Sequence, residues 1–290
     1  MSNHAPVPSS YSFIHKGKVS LLLKAKYQPQ LLRMGIEDFG PFLKEYGQLA
    51  PNLRGRTSHF SVRLQDGQKI VIRRYSHGGG FRFLTRDLYL LGSRSFEEIR
   101  LTEEIRSAEI STVEPVGAAR VRAFFFFYRA YFLSLEVPDA DDGARFLLRI
   151  GASASREALL KKRNAIRSAG LLLQRFHQSG FFHRDLQLRN ILIAGSQLYL
   201  IDFDRSYRKQ ALSSEERMNN LLRLNRSVEK WRSSGLRLTR SDRWRFFQTY
   251  SGRDSRQREA FRKKVHAYRL LLSFHQYLWK IQRRIKAFTH

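Results

Sequence analysis

The 290-residue chain contains no cysteine, which excludes disulfides and thiolate chemistry and suits a reducing compartment. It has no apolar run of the roughly 18 residues that a membrane-spanning helix requires. Its opening, MSNHAPVPSS, lacks the charged and apolar stretches of a secretory signal, so a cytosolic location is expected. No internal repeat runs through it. Acidic residues are scarce: 25 Asp+Glu against 53 Lys+Arg leave a formal charge of +28. Such a surface favours polyanions, whether nucleic acid, anionic lipid or phosphorylated small molecules. The excess is uneven, because residues 205–290 hold 23 Lys+Arg and only 6 Asp+Glu.

What is present suffices for a core, with 42% hydrophobic and 13% aromatic residues. After a short polar tail, HFSVRL (59–64) and KIVIRRY (69–75) flank QDGQ, and alternating apolar positions around Asp-Gly predict a hairpin. FRFLTRDLYLLG (81–92), after a glycine run at 78–80, reads as a short helix. SRSFEEIRLTEEIRSA (93–108) reads as another, with Phe96, Ile99 and Ile105 at helical spacing. EPVGAARVRAFFFFYRAYFLSLEV (114–137) predicts two strands meeting at a turn. Beyond PDADDG (138–143) the pattern becomes helical: residues 155–180 place Ile166, Ala169, Leu173 and Phe176 on one face and end at Gly180. A strand-rich part and a helix-rich part joined near 138 predict two lobes with a cleft between them.

Against this basic background, HRDLQLRNILIAGSQLYLIDFDRS (183–206) gathers three aspartates. Asp185 and Asn190 share one loop, and the hairpin that follows returns Asp202 to the same edge. Phosphoryl transfer needs such convergence: a carboxylate for the attacking hydroxyl, and oxygen ligands for magnesium on the donor phosphates. Isolated aspartates ordinarily cap helices or turns. Here a helix, the Asp185 loop, an apolar strand and a second acid at a strand end follow one another along a short stretch.

His183-Arg184-Asp185-Leu186 with Asn190, followed by Asp202-Phe203, resembles the catalytic loop and metal-binding motif of protein-kinase-like enzymes. The resemblance implies an α+β bilobal fold with a strand-rich N-lobe (1–137), a helical C-lobe (138–255) and a basic C-terminal helix (256–290). It implies ATP and Mg2+, with Asp185 as catalytic base and Asn190 and Asp202 as metal ligands. Arg73 stands at the strand position of the kinase lysine, with Val71 on the same strand face toward adenine. Glu98 is its expected partner, with Glu97, Glu103 and Glu104 as competitors. GRTS (55–58) supplies a phosphate loop through Gly55 and Ser58, poor in glycine, and Glu136 and Val137 would meet adenine through main-chain groups. His183 is expected to brace the acid motif and His177 to be core.

The stretch RRYSHGGGFRFLTRDLYLLGSRSFEEIRL, together with FHQSGFFHRDLQLRNILI, LYLIDFDRS and NNLLRLNRSVEKW, resembles bacterial 3-deoxy-D-manno-octulosonic acid (Kdo) kinases of the lipopolysaccharide kinase family. In that group an arginine likewise holds the position of Arg73, and Asp204 replaces the glycine usual in protein kinases. Gln187 departs from the asparagine of many small-molecule kinases. The implied reaction is phosphorylation of a Kdo hydroxyl on a lipid A precursor, at the cytoplasmic face of the inner membrane. An anionic membrane surface is then a second partner, and nucleic acid is not expected. Residues 261–288 keep helical spacing of apolar side chains beside basic ones, which suits either an interfacial helix or one packed on the C-lobe. The other readings are a heptose or other small-molecule kinase of the same fold, a catalytically inert kinase-like scaffold, and a nucleic-acid binder.

Overall fold

HFSVRL and KIVIRRY form the hairpin that their alternation dictates. The structure, a computed structural model, describes residues 8–49, 59–76, 88–90, 94–153 and 155–252. In it β4 (His59–Arg63) pairs antiparallel with β5 (Lys69–Arg74), His59 opposite Arg73 and Ser61 opposite Val71. Gly67, at φ 84, makes the tight turn, and the Asp66 carboxylate accepts from the Gln68 amide. Ile70 and Ile72 are completely buried on one face, so Val71 and Arg73 necessarily point to the other.

Two compact units divide the chain: one comprises Met1–Ala140, His183–Asp185 and Tyr199–Arg208, the other Asp141–Phe182, Leu186–Leu198 and Lys209–His290. The first is built on a sheet in which β1 (Tyr11–Lys16), β2 (Val19–Lys24), β7 (Pro115–Phe124), β8 (Phe127–Leu135), β5, β4 and β3 (Gln48–Leu49) lie side by side. One face buries Leu21, Leu23, Ile70, Ile72, Val116 and Leu133 against Leu31 of α1 (Gln28–Arg33) and Phe39 and Phe42 of α2 (Phe39–Tyr46). Across β7 and β8 packs α3 (Arg94–Ser107), through Ile99 and Ile105. The two central strands and α3 lie where the spacing predicted them.

The first 46 residues are more than the polar tail expected of them. Gly17, at φ 57, turns β1 into β2, and three consecutive leucines of β2 are buried because the sheet is covered on both faces there. That run does not alternate, which hid the strand from a reading of period. The helix expected over 81–92 also needs correction at its described end. Tyr89 and Leu90 form β6, a strand pairing with Tyr128 and Phe127 of β8. Tyr89 sits 6.2 Å from the Tyr75 ring and 5.9 Å from that of Tyr128, so an unfilled sheet edge outweighs local helical spacing.

In the second unit, β9 (Asp141–Asp142) leads into α4 (Gly143–Gly151), and the Asp142 carboxylate caps that helix by accepting from the Ala144 and Arg145 amides at 3.0 Å each. Ser155 caps α5 (Arg156–Gln178). Gly180, at φ 81, turns the chain where a Cβ would collide with the Lys209 carbonyl oxygen, so no other residue fits. β10 (Phe181–Phe182) and a 3-10 turn (Leu188–Asn190) then precede β11 (Ile191–Ala194), which pairs with β9, and Gly195 turns into β12 (Gln197–Leu200). After β13 (Tyr207–Arg208) come α6 (Ser214–Arg232) and α7 (Arg240–Ser251), each opened by a capping box, Ser213 with Glu216 and Thr239 with Asp242. His177 is core, as expected. Its Nε2–H donates to Asn220 Oδ1 at 3.0 Å and its Nδ1 accepts from the Tyr250 hydroxyl at 2.7 Å, tying α5 to α6 and α7.

Candidate active site

Arg73 leaves β5 on the face opposite the aliphatic core and meets α3, whose first turns put Glu98 beneath the sheet. Its Nη2 donates to both oxygens of Glu98, at 2.6 Å each, and its Nη1 to Asp202 Oδ1 at 2.7 Å. A lysine has a single nitrogen and could not hold two carboxylates in this planar fork. The guanidinium also lies over the Tyr75 ring at 4.6 Å and the Phe132 ring at 5.6 Å. The structure chooses among the four glutamates of α3. Glu103 instead serves Lys24 and the Tyr11 hydroxyl, and Glu104 serves Arg100.

Glu98 is 2% exposed, and each of its oxygens is occupied. Beyond Arg73 it accepts from the Phe203 amide at 3.0 Å and from the Tyr75 hydroxyl. Burial pushes its carboxyl above the ordinary glutamate value, opposed by the Arg73 charge and reinforced by that of Asp202. Burial would lower Arg73, but Asp202 and Glu98 hold its guanidinium well above the ordinary value. Burial, then the Glu98 charge, lifts the Tyr75 phenol, which stays a donor.

The loop after β12 is bent to meet this fork. Asp202 adopts φ 67 and Arg205 φ 57, left-handed conformations that an aspartate tolerates better than most residues. Asp204 faces Arg94 at the start of α3, receiving Nε at 3.2 Å and Nη2 at 2.7 Å, and Arg94 in turn lies 4.8 Å over the Tyr89 ring. Two arginines and three carboxylates therefore meet here with a formal sum of one negative charge. His183, fully buried, fixes the neighbouring loop: its Nε2–H donates to the Ile201 carbonyl at 3.0 Å and its Nδ1 accepts from the Asp185 amide at 3.2 Å. With both ring nitrogens engaged it braces rather than transfers protons. The Arg184 amide donates to Ser206 Oγ at 3.0 Å, a second tie between the two acidic segments.

Asp185 itself is exposed, in the first unit with Arg73, Glu98 and Asp202. Asn190 belongs to the second unit, buried at the end of the 3-10 turn, where its amide donates to the Gln187 carbonyl and the Leu188 amide to Ser227 Oγ of α6. Val71 is half-buried on the strand face of Arg73. The Glu136 amide is spent on the Lys69 carbonyl at 2.8 Å, so any main-chain contact from Glu136 runs through its carbonyl. Gly55 and Ser58 lie outside the described residues, as does the segment 256–290. Tyr75, Arg94 and the pairing role of Asp204 were not foreseen. Tyr75 lies two residues from Arg73 on the same side of the chain, a legible signal, whereas nothing in the sequence marks Arg94.

Among the described residues no group of three or more His, Asp or Glu side chains is placed to hold a metal alone. A carboxylate such as that of Asp202 and an amide oxygen such as that of Asn190 are each, as donor types, the hard oxygens that suit Mg2+, an ion that keeps water and substrate phosphates as its remaining ligands.

Residues 42–250 match the model of the lipopolysaccharide kinase (Kdo/WaaP) family. The chain is 31% identical over 194 residues to a 3-deoxy-D-manno-octulosonic acid kinase of Vibrio cholerae, covering 65% of this chain and 77% of the relative. It is 28% identical over 229 residues to one of Photobacterium damsela subsp. piscicida, covering 76% and 90%. Among solved structures, a chain described as WaaP in complex with acyl carrier protein superposes with a TM-score of 0.59 at 18% identity, covering 89% of this chain and 98% of that one, a likeness of fold.

Proposed function

The chain belongs to the lipopolysaccharide kinase (Kdo/WaaP) family and is a phosphotransferase acting on a sugar hydroxyl, and we propose that it transfers the γ-phosphate of ATP to Kdo on a lipid A precursor. The observation that carries the reading is the fork of Arg73 between Glu98 and Asp202, next to an Asp185 loop braced by His183. Asp185 orients the Kdo hydroxyl and accepts its proton as the oxygen attacks. Arg73 exchanges Asp202 for donor phosphate oxygens while Glu98 holds the guanidinium in place. Asn190 and Asp202 would hold Mg2+, which when bound would offset the negative charge of the donor phosphates. Adenine lies by Val71, with Glu136 and Val137 at its edge. Residues 1–137 then form the nucleotide lobe and 138–255 the lobe that presents the acceptor.

An acceptor combining Kdo carboxylates with lipid phosphates is polyanionic and membrane-borne, and the +28 charge suits a protein held at the cytoplasmic face of the inner membrane. No helix among the described residues is long and apolar enough to cross a membrane.

The test is transfer of labelled γ-phosphate from Mg-ATP to Kdo-bearing lipid A precursor, beside heptosylated core and no acceptor, with Asp185→Asn and Asp202→Asn as controls. Label on the Kdo lipid, lost in both variants, is the expected result. Label confined to heptosylated core would make the chain a heptose kinase. A folded wild-type protein inert on every acceptor would leave a scaffold or nucleic-acid binder.

A further inference from the structure

At the far end of β7 and β8 the chain does something that neither the fold nor the phosphotransfer site requires. Phe124 and Phe127 pair across the strands, leaving Phe125 and Phe126 as a two-residue turn. Phe124, Phe125 and Phe126 are 51%, 85% and 69% exposed. Phe125 sits at φ 45, a conformation that favours glycine, so a bulky apolar residue is kept where both solvent and backbone geometry disfavour it. The neighbouring strand ends extend the patch. Leu90, 60% exposed, pairs with Phe127, and the Arg122 amide donates to the Lys18 carbonyl of the β1–β2 turn. Exposed Lys18 and Arg122 therefore lie beside the strand ends that carry the aromatic tip, while Lys16, one strand further away, reaches Glu37 at 3.9 Å and Asp38 at 3.7 Å.

We propose that the Phe124–Phe125–Phe126 tip inserts into the interfacial region of an anionic bilayer, with Lys18 and Arg122 on its headgroups. A hairpin tip of three exposed aromatic rings with two cations beside it matches an interface that is apolar within about 5–10 Å of its negatively charged surface. For its setting the inference rests on the reading of a membrane-borne acceptor. It names a surface separate from the residues that handle phosphate.

The experiment is flotation of the full chain with vesicles of equal parts phosphatidylglycerol and phosphatidylethanolamine, beside vesicles of phosphatidylcholine. Wild type is expected on the anionic vesicles. Phe125→Gly combined with Phe126→Ser suits the positive φ of the turn and preserves the hairpin, and should lower the partition coefficient roughly tenfold or more. Lys18→Ser with Arg122→Ser should weaken binding and flatten its salt dependence. Phe125→Trp, which keeps the apolar tip, should gain fluorescence quenched by brominated lipid. Unchanged flotation of the Gly/Ser variant overturns the proposal, as does Phe125→Trp fluorescence indifferent to brominated lipid. A dimer abolished by the Gly/Ser variant while flotation persists would assign the tip to a second copy of the chain, which also overturns it. Phosphate transfer to acceptor dissolved in detergent should be unchanged in the Gly/Ser variant. Failure of transfer in the wild type would sink the acceptor reading while leaving the flotation result to stand or fall alone.

Discussion

Arg73 stands at the strand position that the resemblance to protein-kinase-like enzymes gives to a lysine, and its two partners explain why the exchange would not be a neutral one. A planar fork meets Glu98 and Asp202 with two separate nitrogens, Nη2 and Nη1, where an ammonium would have to bring both carboxylates to one nitrogen. Arg73→Lys is therefore expected to lower kcat/KM for ATP by roughly 100-fold, since the remaining cation is misplaced rather than lost; initial rates across ATP concentrations check this. Glu98→Gln leaves Arg73 one carboxylate short inside the protein and should cost about 2–3 kcal/mol of stability by urea unfolding. The resemblance to protein-kinase-like enzymes nominated Arg73 and put Glu98 first among the four glutamates of α3. Only the helix rotation that turns Glu98 inward and leaves Glu103 toward Lys24 separates them, and rotation is a property of packing.

The elements divide into those with local causes and those with distant ones. The β4–β5 hairpin, α3, β7 with β8, and α5 were legible because turn chemistry and period are written within each segment. β6 and the β1–β2 hairpin were not, because an unfilled edge of β8 and a doubly covered β2 decide them from elsewhere in the chain. Gly180→Ala should destabilise the protein by more than about 1 kcal/mol, since it meets both a positive φ and the Lys209 carbonyl; thermal melting with intact activity below the transition would report it. The contacts of α6 and α7 carry an acid sensitivity. Burial would raise Glu229 and Asp242, but Arg243 and Arg232 hold the first below its ordinary 4.5, and Lys162 with the Thr239 cap hold the second below its ordinary 3.8. Lowered acids stabilise the fold above those ordinary values, and the contribution is lost as pH falls through the lowered ones. Melting temperature should therefore drop below pH 4.5, less steeply in Glu229→Gln and Asp242→Asn than in wild type.

For the whole molecule the governing quantity is charge. With a net charge of +28, capture of the proposed polyanionic acceptor should weaken steeply as ionic strength shortens the screening length to about 8 Å near 0.15 M. KM for the acceptor should rise with salt much faster than KM for ATP, and comparing the two in one titration removes any general effect on folding. Composition made this legible, but not where the charge sits: Lys18 and Arg122 are neighbours only through a strand pairing. That same pairing sets an order of events during synthesis. β2 leaves the ribosome about a hundred residues before β7, its partner, and Arg73 is made 129 residues before Asp202. At about 5–20 residues per second, the first hairpin and the half-buried Arg73 wait several seconds or more for the strand and the carboxylate that complete them. During that interval three leucines and a guanidinium destined for the interior stand unprotected, and the nascent chain is a natural client for a holding chaperone.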